Sequence, residues 1–210
     1  MSKTILYFVD PMCSWCWGFA PVMEKVRAQI GDKAEIQVFV GGLRPFTEHA
    51  MTDKDKSYVR NHWTHVAEAS GEDFDFTFFD REDFTYDTEP ACRAIVAVRK
   101  IEPKLAIDML NRLHKAFYSE GKDTTDPEVL ADLANEVGVP RGDFEIIFAD
   151  EQTKQETLGE FQYAQRSGIQ GFPTVVGVDG ETQPVALTMG FRPWDAMEPA
   201  IEGWLSGKPA

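Results

Sequence analysis

Cysteine is scarce in this chain, long apolar runs are missing, and basic residues are outnumbered. Three cysteines in 210 residues cannot build a disulfide framework, so the fold has to rest on an apolar core. A chain of this length buries about 70% of its unfolded surface and needs no such staple. No run approaches the ~18 apolar residues of a membrane helix. The first residues offer one lysine, Lys3, then the short run Thr4 to Val9 and Asp10, whereas a secretory leader needs an apolar stretch of about 7–15. The expected location is therefore the cytoplasm. Lys and Arg number 21 against 35 Asp and Glu, a net charge of −14. That argues against nucleic acid or an anionic membrane as the main partner, because each phosphate contact needs a basic side chain. The excess acid is read as a solubility feature. What remains is a globular composition, with 43% hydrophobic and 12% aromatic residues.

The order of elements follows from periodicity. Thr4–Val9 is short, apolar and β-rich, and reads as a strand buried on both faces. A helix follows to about Ile30, with Val22, Met23, Val26 and Ile30 at helical spacing, and Gly31-Asp32 ends it. Glu35–Val40 is a second strand, so the opening is a βαβ unit with parallel strands and a right-handed crossover. From about Leu43 to Gln170 the pattern is helical: Asp53–Ser70, Pro90–Lys100, a stripe of Leu105, Met109, Leu113 and Phe117, a helix opened by Asp126-Pro127, then Arg141–Ala149 and Gln152–Arg166. Gly71–Asp87, which alternates Phe with Asp, reads as a long acidic surface loop. Gly171–Val178 and Pro184–Gly190, around the Asp179-Gly180 turn signal, form a hairpin. Trp194, Met197, Ile201 and Trp204 mark a last helix, which is expected to kink or restart at Pro199.

The chemistry-bearing motif is Cys13-Ser14-Trp15-Cys16, at the end of a strand and the start of a helix. Residues three apart in a first turn share a face, so the two sulfurs can reach disulfide distance. Free amides and the helix dipole favour an anion near the first cysteine. An effect of ~0.3–2 kcal/mol takes a thiol from about 8.5 to about 7. No Lys, Arg or His lies between or beside the two cysteines, so no further lowering is expected from neighbours in sequence. The outer sulfur, Cys13, is expected to attack, and the inner one, Cys16, to resolve. A zinc site is disfavoured. The remaining pair, His62 and His65, is spaced too closely for a finger and lies too far along the chain. Cys92 falls on the apolar stripe of its helix and reads as buried and structural. His114 borders the Leu110 stripe.

The CSWC motif, Pro21 eight positions beyond Cys13, the helical insertion, and Gly171-Phe172-Pro173-Thr174 before the third strand together resemble the DsbA-like family of thioredoxin-fold thiol–disulfide oxidoreductases. Asp10 to Cys16 resembles its cytoplasmic, FrnE-type or "predicted protein-disulfide isomerase" branch. The resemblance implies an α/β thioredoxin-like fold with a four-stranded mixed sheet. Residues 1–42 and 171–210 would share that sheet, around an all-helical insertion at 43–170. It implies a cis Pro173 beside the motif, leaving the Phe172 backbone free to pair with an extended substrate. Phe172, Pro173, Trp15 and Ser14 are the expected substrate contacts. The activity implied is disulfide exchange on protein or small thiol substrates. It requires no metal or organic cofactor, and its electrons come from glutathione or another thiol.

Two departures matter. Many relatives carry a buried carboxylate six residues before the first cysteine, where this chain has Tyr7. The Ser-Trp dipeptide also lacks the His of strongly oxidising members, which leans toward reductase or isomerase chemistry. Two alternatives share the fold. A glutathione-dependent transferase or isomerase of the kappa and hydroxychromene-carboxylate type tends to carry Ser at position 13 and to lack the second cysteine. A non-catalytic adaptor would need neither thiol.

Overall fold

The computed structural model describes residues 3–180 and 183–207. Strand β1 (Lys3–Val9) leads through the CSWC turn into α1 (Ser14–Ile30). A short 3-10 turn, Gly31–Lys33, then opens β2 (Ala34–Val40). Strands β3 (Thr174–Val178) and β4 (Val185–Met189) follow the helical segment, and α8 (Trp194–Leu205) ends the fold. Among the described residues the strands form one sheet in the order β2-β1-β3-β4. β1 and β2 are parallel, while β3 pairs antiparallel with both β1 and β4. This is the four-stranded mixed sheet that the strand chemistry implied. The connection between β3 and β4 includes Glu181 and Thr182, so part of the expected turn lies outside the described residues.

The two faces of β1 explain its unbroken apolar run. Successive strand residues point to opposite faces. Tyr7 meets Phe19 of α1 at 6.3 Å between ring centres. Its neighbour Phe8 instead meets Phe39 at 5.4 Å and Tyr163 of α7 (Glu151–Arg166) at 5.9 Å. A strand covered on both sides has no use for polar residues.

The helical segment holds α2 (Asp53–Ser70), α3 (Glu89–Ile101), α4 (Ala106–Tyr118), α5 (Pro127–Glu136) and α6 (Arg141–Ala149) as well as α7. Its helices do not stand apart from the sheet domain. α1 packs on α2, α4 and α8, and both α3 and α7 pack on β2. One apolar cluster runs through both parts, from Ile5 and Val40 to Phe117 and Phe144.

Two sequence expectations are corrected. Gly71–Asp87 is not a surface loop. It contains a 3-10 turn, Phe76–Asp80, and buries Phe78, Phe79, Phe84 and Tyr86. Trp63 of α2 is the hub, with the Phe78, Phe79 and Tyr118 rings about it at 5.0, 4.8 and 5.0 Å. Each aromatic ring buries roughly 150–250 Å², which outweighs the solvation preference of the intervening acids. Asp73, Asp80, Glu82 and Asp83 are exposed, so charge-rich composition hid a core segment. The last helix runs unbroken through Pro199, and α1 likewise through Pro21. α8 packs on β4 and α1, and that packing holds the helix together where propensity alone predicts a restart.

Candidate active site

The site is built at the carboxyl ends of β1 and β2. Cys13 is the N-cap of α1, with extended backbone (φ −92°, ψ 116°), and its side chain does not cap the helix. Its N–H donates to the Asp10 carbonyl at 3.0 Å, and its own carbonyl accepts from Cys16 at 2.9 Å and from Trp17 at 3.2 Å. Ahead of these bonds, the Ser14 and Trp15 amides have no intrahelical acceptor. Both cysteines are free thiols. Cys13 is 6% exposed and Cys16 is fully buried, so the outer sulfur is the accessible one, though only through a narrow opening.

The Phe172–Pro173 peptide bond is cis. The Cys13 thiol donates to the Phe172 carbonyl at 3.6 Å. The tip of the Phe172 ring lies close against Gly41 at the end of β2, where a Cβ would come within 1.9 Å of it. Pro173 offers its carbonyl to Gly190 at 2.7 Å. A recess of about 250 Å³ opens over Cys13, and Ser14, Trp15, Arg44, His62 and Phe172 are among its lining residues. Trp15 also packs on Phe191 beyond β4, at 5.6 Å. Ser14, Trp15 and Phe172 thus share one recess with Cys13.

Burial shapes the groups beneath the motif. The Cys16 thiol is pushed well up, first by burial, then by the Cys13 sulfur facing it, with the Asp10 charge adding to the effect. Tyr7 lies six residues before Cys13. Its hydroxyl is buried, with no hydrogen-bond partner among the described residues. Burial, then the charges of Cys16 and Cys13, hold it as a neutral phenol. Asp10 is fully buried, with its carboxyl raised chiefly by desolvation against several hydrogen bonds. One oxygen accepts from the Met12 amide at 2.8 Å. The other accepts from the Leu43 amide at 2.6 Å and the Cys92 thiol at 3.5 Å. Asp10 therefore clips the loop after β1 to the loop after β2. Cys92 is buried as expected, and its partner is this carboxylate.

His114, one turn from Leu110 on the buried face of α4, is fully buried. Burial takes its pKa down to about 3, and the backbone of Asp10 offsets only part of that. His62 lines the recess, stacked edge-on to Tyr58 at 4.5 Å, and His65 is exposed. Among the described residues no three His, Cys, Asp or Glu side chains gather as a metal-binding set.

The sequence reading missed Arg44 and Tyr86 and left Asp10 unplaced. A signal existed in the parallel pairing. Val9 sits beside Val40, so whatever follows β2 must lie beside the CSWC turn, at the end of the sheet where α/β folds place their sites. Tyr86 had no local signal. It comes from the misread aromatic segment and donates its hydroxyl to the Met12 carbonyl at 2.7 Å.

Comparison with known proteins agrees with this architecture. A family model, the DSBA-like thioredoxin domain, matches residues 4–202. A candidate protein disulfide isomerase from Nitrosomonas europaea is 34% identical, with 100% of both chains covered and a TM-score of 0.92. The cytosolic disulfide reductase DsbM of Pseudomonas aeruginosa is 25% identical over 97% of this chain and 98% of that one, at a TM-score of 0.80. DsbM has also been solved with GSH. A curated relative, the ClpXP adapter protein SpxH of Halalkalibacterium halodurans, is 21% identical over 98% of this chain and 68% of its own. Among the described residues no helix is long and apolar enough to cross a membrane. The chain belongs to the DsbA-like thioredoxin-domain family.

Proposed function

We propose that this protein is a thiol–disulfide oxidoreductase that works through Cys13 and Cys16 and reduces disulfides of small or protein thiols in the cytoplasm. The observation that carries the reading is the pair itself: two free thiols one helical turn apart, the outer one opening into a recess walled by the Phe172 carbonyl. The Cys13 thiolate attacks a substrate disulfide. A bond forms from Cys13 to one substrate sulfur, and the other leaves as a thiolate. Cys16 then attacks the Cys13 sulfur, releasing the second substrate thiol and closing the Cys13–Cys16 disulfide. Two electrons pass to the substrate, and the two protons from the protein thiols end on the released thiols. The order of events follows from the groups that hold Cys16 protonated. Its opposition includes the hydrogen bond and charge of Cys13, and both vanish once Cys13 is tied up in the mixed disulfide. An external thiol then returns the pair to the reduced form. Glutathione is the first to test, because the DsbM relative binds it.

Insulin reduction and equilibration of the pair with glutathione test this reading. Wild type is expected to turn over in both, and Cys13→Ala in neither. Turnover that survives in Cys13→Ala overturns it. The SpxH relatives favour a second reading, an adaptor on the same fold. Under that reading Cys13→Ala keeps full partner binding, and wild type shows no thiol turnover.

A further inference from the structure

We propose that Arg44 is a carboxylate-binding subsite that makes the Cys13 recess selective for small disulfides carrying a carboxylate near their sulfur. The inference rests on the exchange chemistry above and names its substrate class. Arg44 lines the same recess as Cys13. Its guanidinium lies over the Tyr86 ring, 5.3 Å from the centroid, and the Tyr86 hydroxyl is anchored to the carbonyl of Met12, the residue before Cys13. The Arg44 backbone is fixed as well, with its amide donating to Thr88 at 3.1 Å. The preceding residue, Leu43, is clipped by Asp10 to the CSWC loop. The cation is thus held in register with the nucleophile.

Its hydrogen-bonding edge is unused. A cation–π contact occupies the face of a guanidinium and leaves the N–H fork free. Among the described residues the Arg44 side chain has no carboxylate within ion-pair distance and donates no hydrogen bond, in contrast to Arg93, Arg99, Arg112 and Arg141. Its charge acts on the Asp55 carboxylate and on the Tyr86 phenol. The amide and hydroxyl of Thr52 both donate to the Oδ2 of that carboxylate, at 2.9 and 2.6 Å, and it forms no ion pair with Arg44 among the described residues. Arginine is the side chain whose fork matches a carboxylate in two parallel bonds. The recess, about 250 Å³ in volume, matches a small disulfide in scale. The net charge of −14 works against anions in general, and inside the recess Arg44 offsets that repulsion locally.

The test is single-turnover oxidation of the reduced protein by two disulfides of similar size, anionic 3,3′-dithiodipropionate and neutral 2-hydroxyethyl disulfide. It compares wild type, Arg44→Gln and Arg44→Lys. In Arg44→Gln the ratio of the anionic to the neutral rate constant is expected to fall about tenfold, with Arg44→Lys recovering part of it. A ratio that moves less than twofold in Arg44→Gln overturns the subsite, because a structural role for Arg44 slows both disulfides alike. Oxidation of wild type by neither disulfide removes the exchange reading itself, and the subsite with it.

Discussion

His114 carries no charge in the folded protein, and acid makes that expensive. Its folded pKa is about 3, whereas an unfolded imidazole titrates near 6.5. The unfolded chain therefore takes up the proton first as pH falls. The His114 contribution to stability is full above ~6.5 and declines by about 1.4 kcal/mol per pH unit below it, toward pH 3. Urea unfolding at pH 7, 6 and 5 is expected to show this slope, with His114→Leu losing about one proton's worth of it. An unchanged slope in the variant would show that the ring is solvated. At this scale the sequence was a partial guide. The two motif cysteines stand out by spacing alone. His114 and Asp10 do not, because a polar residue enters a core only when tertiary neighbours enclose it, and periodicity does not report those neighbours.

Elements meet at the site through a few close approaches. The end of β2 passes so near the cis-proline loop that Gly41 has no room for a side chain. A Cβ at Gly41 meets the far end of the Phe172 ring, so Gly41→Ala has to swing a ring that lines the Cys13 recess. Disulfide exchange is expected to slow roughly 10- to 100-fold, since misplacement of about 1 Å costs that much, while the melting transition stays cooperative. Exchange at the wild-type rate would mean that the Phe172 loop does not position the reaction. The elements themselves were largely legible. α2 and α6 fall on the residues that periodicity indicated, because each has an apolar stripe and a clear start. Gly71–Asp87 failed because a plug of aromatic rings follows no strand or helix period.

Across the whole molecule the helical segment and the sheet behave as one body. Arg99 of α3 donates to the Val38 carbonyl and pairs with Glu160 of α7, and Glu160 accepts from the Val40 amide at 2.9 Å. These bonds satisfy two backbone groups, the Val38 carbonyl and the Val40 amide, on the open edge of β2, an edge that could otherwise pair with another strand. Arg99→Met leaves Glu160 and the Val38 carbonyl without that partner, in surroundings where burial already works against the Glu160 charge. The expected loss is about 2–4 kcal/mol in urea unfolding. A loss below ~0.5 kcal/mol would show that the two parts are held without this pair. The split of the sheet between the two ends of the chain could be read from the order of strands and helices. The clamp across it could not, because Arg99 and Glu160 lie 61 positions apart.

The central claim is that Cys13 attacks and Cys16 resolves. Trapping reads it directly: Cys16→Ser is mixed with a small disulfide, and the adduct is located by peptide mass spectrometry. The account predicts one stable mixed disulfide, on Cys13, which in wild type passes on to the Cys13–Cys16 disulfide. An adduct on Cys92, or none on the folded protein, would contradict it.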